Sequence, residues 1–154
     1  MLKSIDPLLT PDLLRILCEM GHGNTIVIAD ANFTAMQLAA DERAHPCPVI
    51  RMPGIGTARV AQAVLSVFPL GTVAEQPVQY MQVGDTASGY MSAVQREVMQ
   101  LVDAQYPNLA AQSLERFAFY DATKRAYAII QTGDMQPYAN FIFAKGVIAD
   151  TLRV

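Results

Sequence analysis

Residues 21–30 constrain the fold more than any other stretch of the sequence. A helical pattern ends at Gly21, and an apolar run then leads to an aspartate at position 30. A near-continuous apolar run such as Thr25–Ala29 is typical of a strand covered on both faces of a parallel sheet. In such α/β sheets ligands bind beyond the carboxyl ends of the strands. We therefore predict that Asp30 lies at the ligand-binding edge of an α/β sheet.

The same stretch supplies a candidate acid/base pair. His22 is predicted in a glycine-flanked turn just past a helix C-terminus, where the helix dipole stabilises the imidazolium. We expect His22 and Asp30 to enter one crevice. One imidazole and one carboxylate in the same crevice would make a minimal acid/base site. The plainer interpretations are a histidine that caps helix carbonyls and an aspartate that accepts hydrogen bonds from loop amides. Both interpretations stay open on the residues alone.

Predicted helices and strands alternate along the whole chain, which is typical of a layered α/β fold. Helices are predicted at 11–20, 58–68, 90–104 and 117–126, the first two with caps at Thr10 and Thr57. The predicted strands span 25–29, 49–52, 78–83, 113–116, 127–131 and 140–144, with a long loop at 31–47. The turn at Gly133 joins two closely spaced strands, so part of the sheet is expected to be antiparallel. We predict one domain over residues 1–154, a three-layer α/β/α sandwich with a mostly parallel, mixed sheet.

The composition narrows the class of protein and its partners. Hydrophobic residues make up 52% of the chain and charged residues 16%, against a usual charged share of about 25%. So little charged surface favours a homo-oligomer with a large subunit interface. The net charge is −3 and the basic residues are scattered, so the sequence indicates no basic patch for binding nucleic acid. With no signal peptide pattern and no apolar run of about 20 residues, we expect a cytoplasmic protein without a membrane partner.

Two pairs of residues allow structural zinc as an alternative. Cys18 and His22 are four positions apart, and His45 and Cys47 are two apart, which supplies four ligands of suitable type. Cys18, however, is predicted to face the core of its helix as a buried free thiol. Two prolines also constrain the second pair. We therefore predict no metal site and no cofactor.

Polar side chains near the carboxy terminus suggest a sugar pocket. Arg116, Tyr120, Tyr138 and Asn140 offer the guanidinium, phenol and amide groups that sugar hydroxyls need in fixed directions. Taken singly, these residues are better explained as a surface ion pair, half-buried tyrosines and a turn residue. The residues alone therefore leave the pocket as a hypothesis.

Several blocks of sequence, read together and in order, resemble one known family, the L-fucose mutarotases, to which the D-ribose pyranases are related. These blocks are Met1-Leu2-Lys3, Gly21-His22-Gly23, Ala29-Asp30-Ala31-Asn32-Phe33, Glu115-Arg116-Phe117-Ala118-Phe119-Tyr120, Thr132-Gly133-Asp134, Tyr138-Ala139-Asn140 and Lys145-Gly146-Val147. They bracket nearly the whole chain. The resemblance implies a three-layer α/β sandwich that assembles into a dimer or a larger ring, up to a decamer, with the sugar site near a subunit interface.

The resemblance also implies an activity and the residues that perform it. The implied enzyme is an isomerase that interconverts the α and β anomers of a free monosaccharide, L-fucose or a similar aldose, without a cofactor. His22 matches the family's proton donor and Asp30 its sugar-binding aspartate. The implied sugar contacts are Arg116, Tyr120, Tyr138, Ala139 and Asn140.

Departures from the family pattern keep other functions open. Ala139 stands where the fucose enzymes usually carry glycine and matches the ribose branch, whereas the aromatic block around Arg116 favours the fucose branch. Thr34 stands where proline is usual, and residues 52–54 differ as well. Pyranose–furanose exchange on D-ribose and a non-catalytic monosaccharide-binding protein therefore remain as alternatives.

Overall fold

Helices and strands alternate along the chain. The computed structural model describes residues 2–40, 46–72, 76–87 and 89–148. Its helices are α1 (Pro11–Glu19), α2 (Ala35–Ala39), α3 (Thr57–Leu65), α4 (Ala93–Gln105) and α5 (Arg116–Thr123). Its strands are β1 (Thr25–Ala29), β2 (Val49–Met52), β3 (Val78–Met81), β4 (Gln112–Leu114), β5 (Ala128–Thr132) and β6 (Phe141–Ala144). None of the described helices has the length and apolar character that crossing a membrane requires.

The strands form one mixed sheet in the order β2-β5-β1-β6-β3-β4. Strands β1 to β5 run in one direction, and β6 lies antiparallel between β1 and β3. The predicted antiparallel part is confirmed, but the strands before and after Gly133 do not pair, because β1 lies between them. The ends of β1 to β5 and the start of β6 therefore meet along one side of the sheet, here named the carboxyl edge.

The two faces of the sheet carry separate apolar cores. In β1, Ile26 and Ile28 point to one face, and Val27 and Ala29 point to the other. The first face is covered by α1, α3 and α4, and the second by α2 and α5. Because both faces of the sheet are buried, the side chains on both sides of β1 are apolar. This explains the continuous apolar sequence of the strand. The predicted three-layer sandwich is confirmed.

The structure corrects two local predictions. The loop predicted at 31–47 contains α2, whose five residues are too few to show a helical period; residues 41–45 of that loop lie outside the described part of the chain. Thr57 is not a cap, because Gly56 holds the N-cap position of α3. The Thr57 hydroxyl instead turns inward, 3.2 Å from the Thr132 hydroxyl, and donates to the Ala139 carbonyl at 3.0 Å.

A close backbone contact fixes the turn after β2 against the end of β5. The Gly133 N–H donates to the Ile55 carbonyl at 2.8 Å. A Cβ atom on Gly133 would lie 2.2 Å from the Gly54 nitrogen and 3.0 Å from its Cα. Both obstacles are backbone atoms, so a side chain at position 133 would push the two turns apart.

We expect Gly133→Ala to lower the free energy of unfolding by about 2–3 kcal/mol, because the added methyl group overpacks two backbone segments. Urea denaturation followed by circular dichroism measures this change. Gly21→Ala is the matched control, since a Cβ there would meet only the Asn24 Oδ1 at 3.7 Å. Equal effects of the two substitutions would contradict the close-contact explanation.

Candidate active site

A buried pair of hydrogen bonds joins Asp30 to Asn140 at the carboxyl edge. The Asp30 N–H donates to Asn140 Oδ1 at 2.8 Å, and Asn140 Nδ2 donates to Asp30 Oδ2 at 2.9 Å. The N–H of Asn32 donates to Asp30 Oδ1 at 2.9 Å. Asp30 is 3% exposed and Asn140 is 2% exposed. The structure thus brings together two of the predicted site residues, which lie 110 positions apart in the sequence.

The surroundings of Asp30 shift its acidity. Burial raises the pKa of the Asp30 carboxyl above its ordinary value, because the charged form loses its water. Hydrogen bonds from the N–H of Asn32, the Asn140 amide and the N–H of Tyr138 oppose that rise of the pKa. The nearby carboxylate of Asp134 adds to it. Asp30 therefore accepts a proton at a higher pH than an exposed aspartate does.

Tyr138 and Ala139 complete the same corner of the sheet. Tyr138 is half-buried and has φ of 66°, in the left-handed region that non-glycine residues seldom adopt. Its phenol oxygen lies over the loop after β3, so that a Cβ on Gly84 would come within 2.9 Å of it. Ala139 is fully buried. Tyr138, Ala139 and Asn140 therefore form one wall beside Asp30, which agrees with the predicted grouping.

Tyr120 and Arg116 follow along the same edge on α5. The Tyr120 ring packs edge-on against Phe33 at 5.6 Å, and the Phe33 N–H donates to the Asp30 carbonyl at 3.3 Å. Arg116 is exposed, with its guanidinium carbon 4.7 Å from the centre of the Phe117 ring. Phe117 in turn packs edge-on against Tyr120 at 6.2 Å. Arg116 thus stands at the outer end of an aromatic row that begins beside Asp30.

His22 lies at the opposite end of β1 from Asp30. Its exposed turn is closed by the Asn24 N–H, which donates to the Gly21 carbonyl at 3.1 Å, and by φ of 78° at Gly23. The five residues of β1 separate this turn from Asp30, a distance of about 16 Å at about 3.3 Å per residue. The expectation that His22 and Asp30 of one chain enter one crevice is therefore wrong.

A cleft of about 200 Å³ opens beside the His22 turn. It lies between the start of β1, the end of β6 and the segment that leads into β3. Its lining includes Gly23, Thr25, Gly71, Gln79, Ile142 and Lys145. Lys145 is held there by two bonds from its ammonium group, to the carbonyls of Leu17 and Met20 at the end of α1. The chain therefore leaves an open cleft at the end of the sheet where the His22 turn lies.

The zinc alternative gains no support from the part of the chain that the structure covers. Cys18 is exposed, contrary to the predicted buried thiol. The buried stripe of α1 contains Leu13, Ile16 and Leu17, and at 100° per residue Cys18 points away from it. No three His, Cys, Asp or Glu side chains among the described residues come together as metal ligands. His45, which the alternative needs, lies outside those residues.

Gln95 is a contributor to the site that the sequence analysis missed. Its fully buried amide donates to the carbonyls of Met81, at 2.7 Å, and Tyr138, at 2.9 Å. The spacing Ser92-x-x-Gln95 is a capping-box pattern and could have marked the start of α4. Its contact with Tyr138 could not be found that way, because it joins parts of the chain that are 43 positions apart.

We expect Asn140→Ala to lower the free energy of unfolding by about 1–3 kcal/mol at pH 7, because it leaves buried groups of Asp30 without partners. The pKa of Asp30 should rise further, since a donor to its charged form is lost. A folded-state pKa above the unfolded one contributes stability that is lost as the pH rises through the folded pKa. The deficit of the variant should therefore widen with rising pH.

Urea denaturation across the acidic range and carboxyl ¹³C NMR of Asp30 measure the two effects of Asn140→Ala. Asn32→Ala is the matched control, because its exposed side chain is removed while its N–H still donates to Asp30. A pH-independent deficit, or an unchanged pKa of Asp30, would argue against the bond that the structure gives Asn140.

Comparison with known proteins agrees with the resemblance drawn from the sequence. The RbsD / FucU transport protein family matches residues 3–148. The L-fucose mutarotase of Actinobacillus pleuropneumoniae is 37% identical over 149 residues, which cover 96% of this chain and 97% of that protein.

Two solved structures extend the comparison to the fold. The fucose mutarotase of Streptococcus pneumoniae in complex with L-fucose is 33% identical, with a TM-score of 0.83 over 96% of this chain and 100% of that one. Bacillus subtilis RbsD complexed with D-ribose is 25% identical, with a TM-score of 0.70 over 97% and 100% of the two chains. From its sequence and its fold, this chain belongs to the RbsD / FucU family.

Proposed function

We propose that this protein is an isomerase that interconverts the α and β anomers of a free aldose, L-fucose in the first instance. The observation that carries the proposal is the buried Asp30–Asn140 pair beside Tyr138, in a chain similar over nearly its whole length to L-fucose mutarotases. Sugar hydroxyls need donors and acceptors held in fixed directions. The strand ends and the tight turn at this edge meet that need, because they hold the carboxylate of Asp30, the amide of Asn140 and the phenol of Tyr138.

The reaction requires proton transfer and no change of oxidation state. A proton leaves the anomeric hydroxyl while the bond between the anomeric carbon and the ring oxygen breaks, and the ring oxygen takes up a proton. The open aldehyde rotates and closes with its other face presented. His22 shuttles the proton, taking it from the anomeric hydroxyl and returning it to the ring oxygen, and a positioned acid/base group typically contributes about 10²–10⁴-fold. Asp30, Asn140, Tyr138, Arg116 and Tyr120 hold the sugar.

The geometry of β1 requires two copies of the chain in each site if His22 and Asp30 act on one sugar. We therefore propose a homo-oligomer, a dimer or a larger ring, in which His22 of one copy faces the carboxyl edge of another. Exposed apolar side chains near that edge support such a contact: Met36, Phe117 and Met135 are 61%, 60% and 74% exposed. Symmetric contact repeats the same arrangement in every copy.

The chemistry of the cysteines supports a cytoplasmic location for this enzyme. Both Cys18, which is exposed, and Cys47, which is buried, are thiols rather than a disulfide. Reduced thiols are the usual state in the cytoplasm.

Pyranose–furanose exchange on D-ribose is the second candidate function. Ala139, which is typical of the ribose branch, and the similarity to Bacillus subtilis RbsD favour it. The higher identity and TM-score of the fucose enzyme favour L-fucose. Exchange spectra of both sugars with the same preparation decide between them.

We expect His22→Ala to slow anomer exchange of L-fucose by about 10²–10⁴-fold, because the variant lacks its proton donor. Saturation-difference NMR measures the exchange rate. His45→Ala is the matched control, since it removes the other of the two histidines in the chain. A wild-type rate in His22→Ala with an unchanged melting temperature would refute the role given to His22.

Mixing two inactive variants tests whether a site spans two copies. His22→Ala and Asp30→Ala chains, dissociated and reassembled at equal amounts, should recover about a quarter of the wild-type rate, since one site in four receives both native residues. Asp30→Asn serves the same purpose and keeps the shape of the side chain. Each variant reassembled alone is the control. A mixture no faster than the variants alone would refute a site shared between two copies, and an Asp30 variant with full activity would refute the role given to Asp30.

A further inference from the structure

The backbone at Tyr138 is strained and must be held in place. Its φ of 66° is disfavoured for a residue with a bulky side chain, and such a conformation persists only where surrounding groups determine it. Tyr138 is also a sugar contact in the proposed function. The groups that impose this conformation therefore decide where the phenol lies.

The peptide group that follows the Tyr138 Cα is fixed on both of its polar atoms. Its carbonyl accepts a hydrogen bond from Gln95 Nε2 at 2.9 Å, and its N–H, which belongs to Ala139, donates to the Gln136 carbonyl at 3.4 Å. On the other side of the Cα, the N–H of Tyr138 lies close enough to the Asp30 carboxylate to lower the pKa of that group. Rotation about ψ would break the bond from Gln95. Gln95 thus helps to impose the left-handed conformation.

The amide of Gln95 has no freedom of its own. It is fully buried, and its Nε2 also donates to the Met81 carbonyl at 2.7 Å. Its Oε1 accepts from the Ser92 N–H at 2.9 Å, as part of the capping box of α4. Both amide hydrogens and the oxygen are therefore used, and the side chain ties the start of α4 to the end of β3 and to Tyr138.

The position of the phenol follows from these bonds. Met81 ends β3 and leads into the loop that contains Gly84. The phenol oxygen of Tyr138 lies over Gly84, close enough that a Cβ there would be 2.9 Å away. Gln95 holds both the end of β3 and the Tyr138 backbone, so it sets the distance between the phenol and this loop.

We propose that Gln95 is a positioning residue for sugar binding, whose buried amide fixes the Tyr138 backbone and thereby places the phenol against the sugar. This inference rests on the proposed function. The Gln95 amide is fully buried and donates only to the backbone carbonyls of Met81 and Tyr138, so it acts through Tyr138. Because a wall of the pocket binds the sugar and the transition state alike, its displacement raises KM more than it lowers kcat.

Two substitutions of Gln95 test the proposal. Gln95→Met keeps the volume and removes all three hydrogen bonds, and Gln95→Glu keeps the acceptor for the Ser92 N–H while its carboxylate donates to neither carbonyl. For each we expect KM for L-fucose to rise about tenfold, with kcat within about threefold of wild type. Saturation-difference NMR at several sugar concentrations gives both constants.

Ser92→Ala is the matched control. It removes the hydrogen bond from the Gln95 N–H to the Ser92 hydroxyl, the other half of the same capping box, and leaves the Gln95 amide in place. We expect it to lower stability and to leave KM unchanged. A KM in both Gln95 variants no higher than in Ser92→Ala would overturn the proposal, because the role of Gln95 would then be that of a helix cap.

A spectroscopic measurement separates this proposal from the proposed function. With ring-¹³C tyrosine, the signal that disappears in Tyr138→Phe belongs to Tyr138. We expect that signal to shift in both Gln95 variants and to stay in place in Ser92→Ala. An unmoved signal would overturn the role of Gln95 even in an active enzyme, whereas wild-type protein that exchanges no aldose would overturn the proposed function alone.

Discussion

The reciprocal hydrogen bonds between Asp30 and Asn140 are the constraint on which the carboxyl edge depends. Asn140 stands where the antiparallel strand β6 enters between β1 and β3. Its side chain satisfies the end of β1, and its carbonyl accepts from the Met81 N–H at the end of β3, at 3.0 Å. Buried polar groups are tolerated only when they are paired, and a fully paired network is rigid. One asparagine therefore fixes the relative positions of three strand ends.

This network includes residues that the proposed function assigns to sugar binding. Asp30 keeps an elevated pKa because burial outweighs the hydrogen bonds that favour its charged form. The N–H of Tyr138 lies beside the same carboxylate. The Asp30 carbonyl accepts from the N–H of Phe33, whose ring packs against Tyr120. Asp30 therefore links the two tyrosines.

The length of β1 links the proposed activity to assembly. A strand of five residues is stiff, and it keeps His22 and Asp30 of one chain apart. If both residues act on one sugar, the site exists only where two copies meet. Loss of the contact would then abolish activity while each chain stays folded. The exposed Phe117 and Met36 on the rim, and a charged fraction of 16%, are consistent with a surface that is covered in use.

Local sequence patterns predicted the layered fold. The features that they did not predict depend on tertiary contacts between residues distant in the sequence. The apolar run of β1 and the Thr10 cap of α1 were identified correctly, because a strand buried on both faces and a capped helix have signatures within a few residues. The family resemblance assigned Asp30 and Asn140 to one site, but neither it nor their spacing predicted the hydrogen bonds between them. The inward turn of Thr57 depends on Thr132 and Ala139, which are far away in sequence.

The error over His22 has a different origin, because the sequence already contained the information that corrects it. The strand that identifies Asp30 as an edge residue also carries the chain away from His22, at about 3.3 Å per residue. Closeness in sequence across a strand therefore implies separation in space. A histidine before a strand and an aspartate after it can meet in one site only when another part of the fold, or another copy of the chain, brings them together.

The left-handed backbone of Tyr138 affects how the carboxyl edge could bind a ligand. A left-handed tyrosine raises the energy of the folded protein, and the bond from Gln95 offsets part of that energy. If Tyr138 contacts the sugar, as proposed, its backbone is already in the binding conformation, so binding does not have to order it. A small polar ligand offers little apolar surface to drive its own binding. A site for it gains most from walls that are fixed in advance, and the buried network at this edge fixes them.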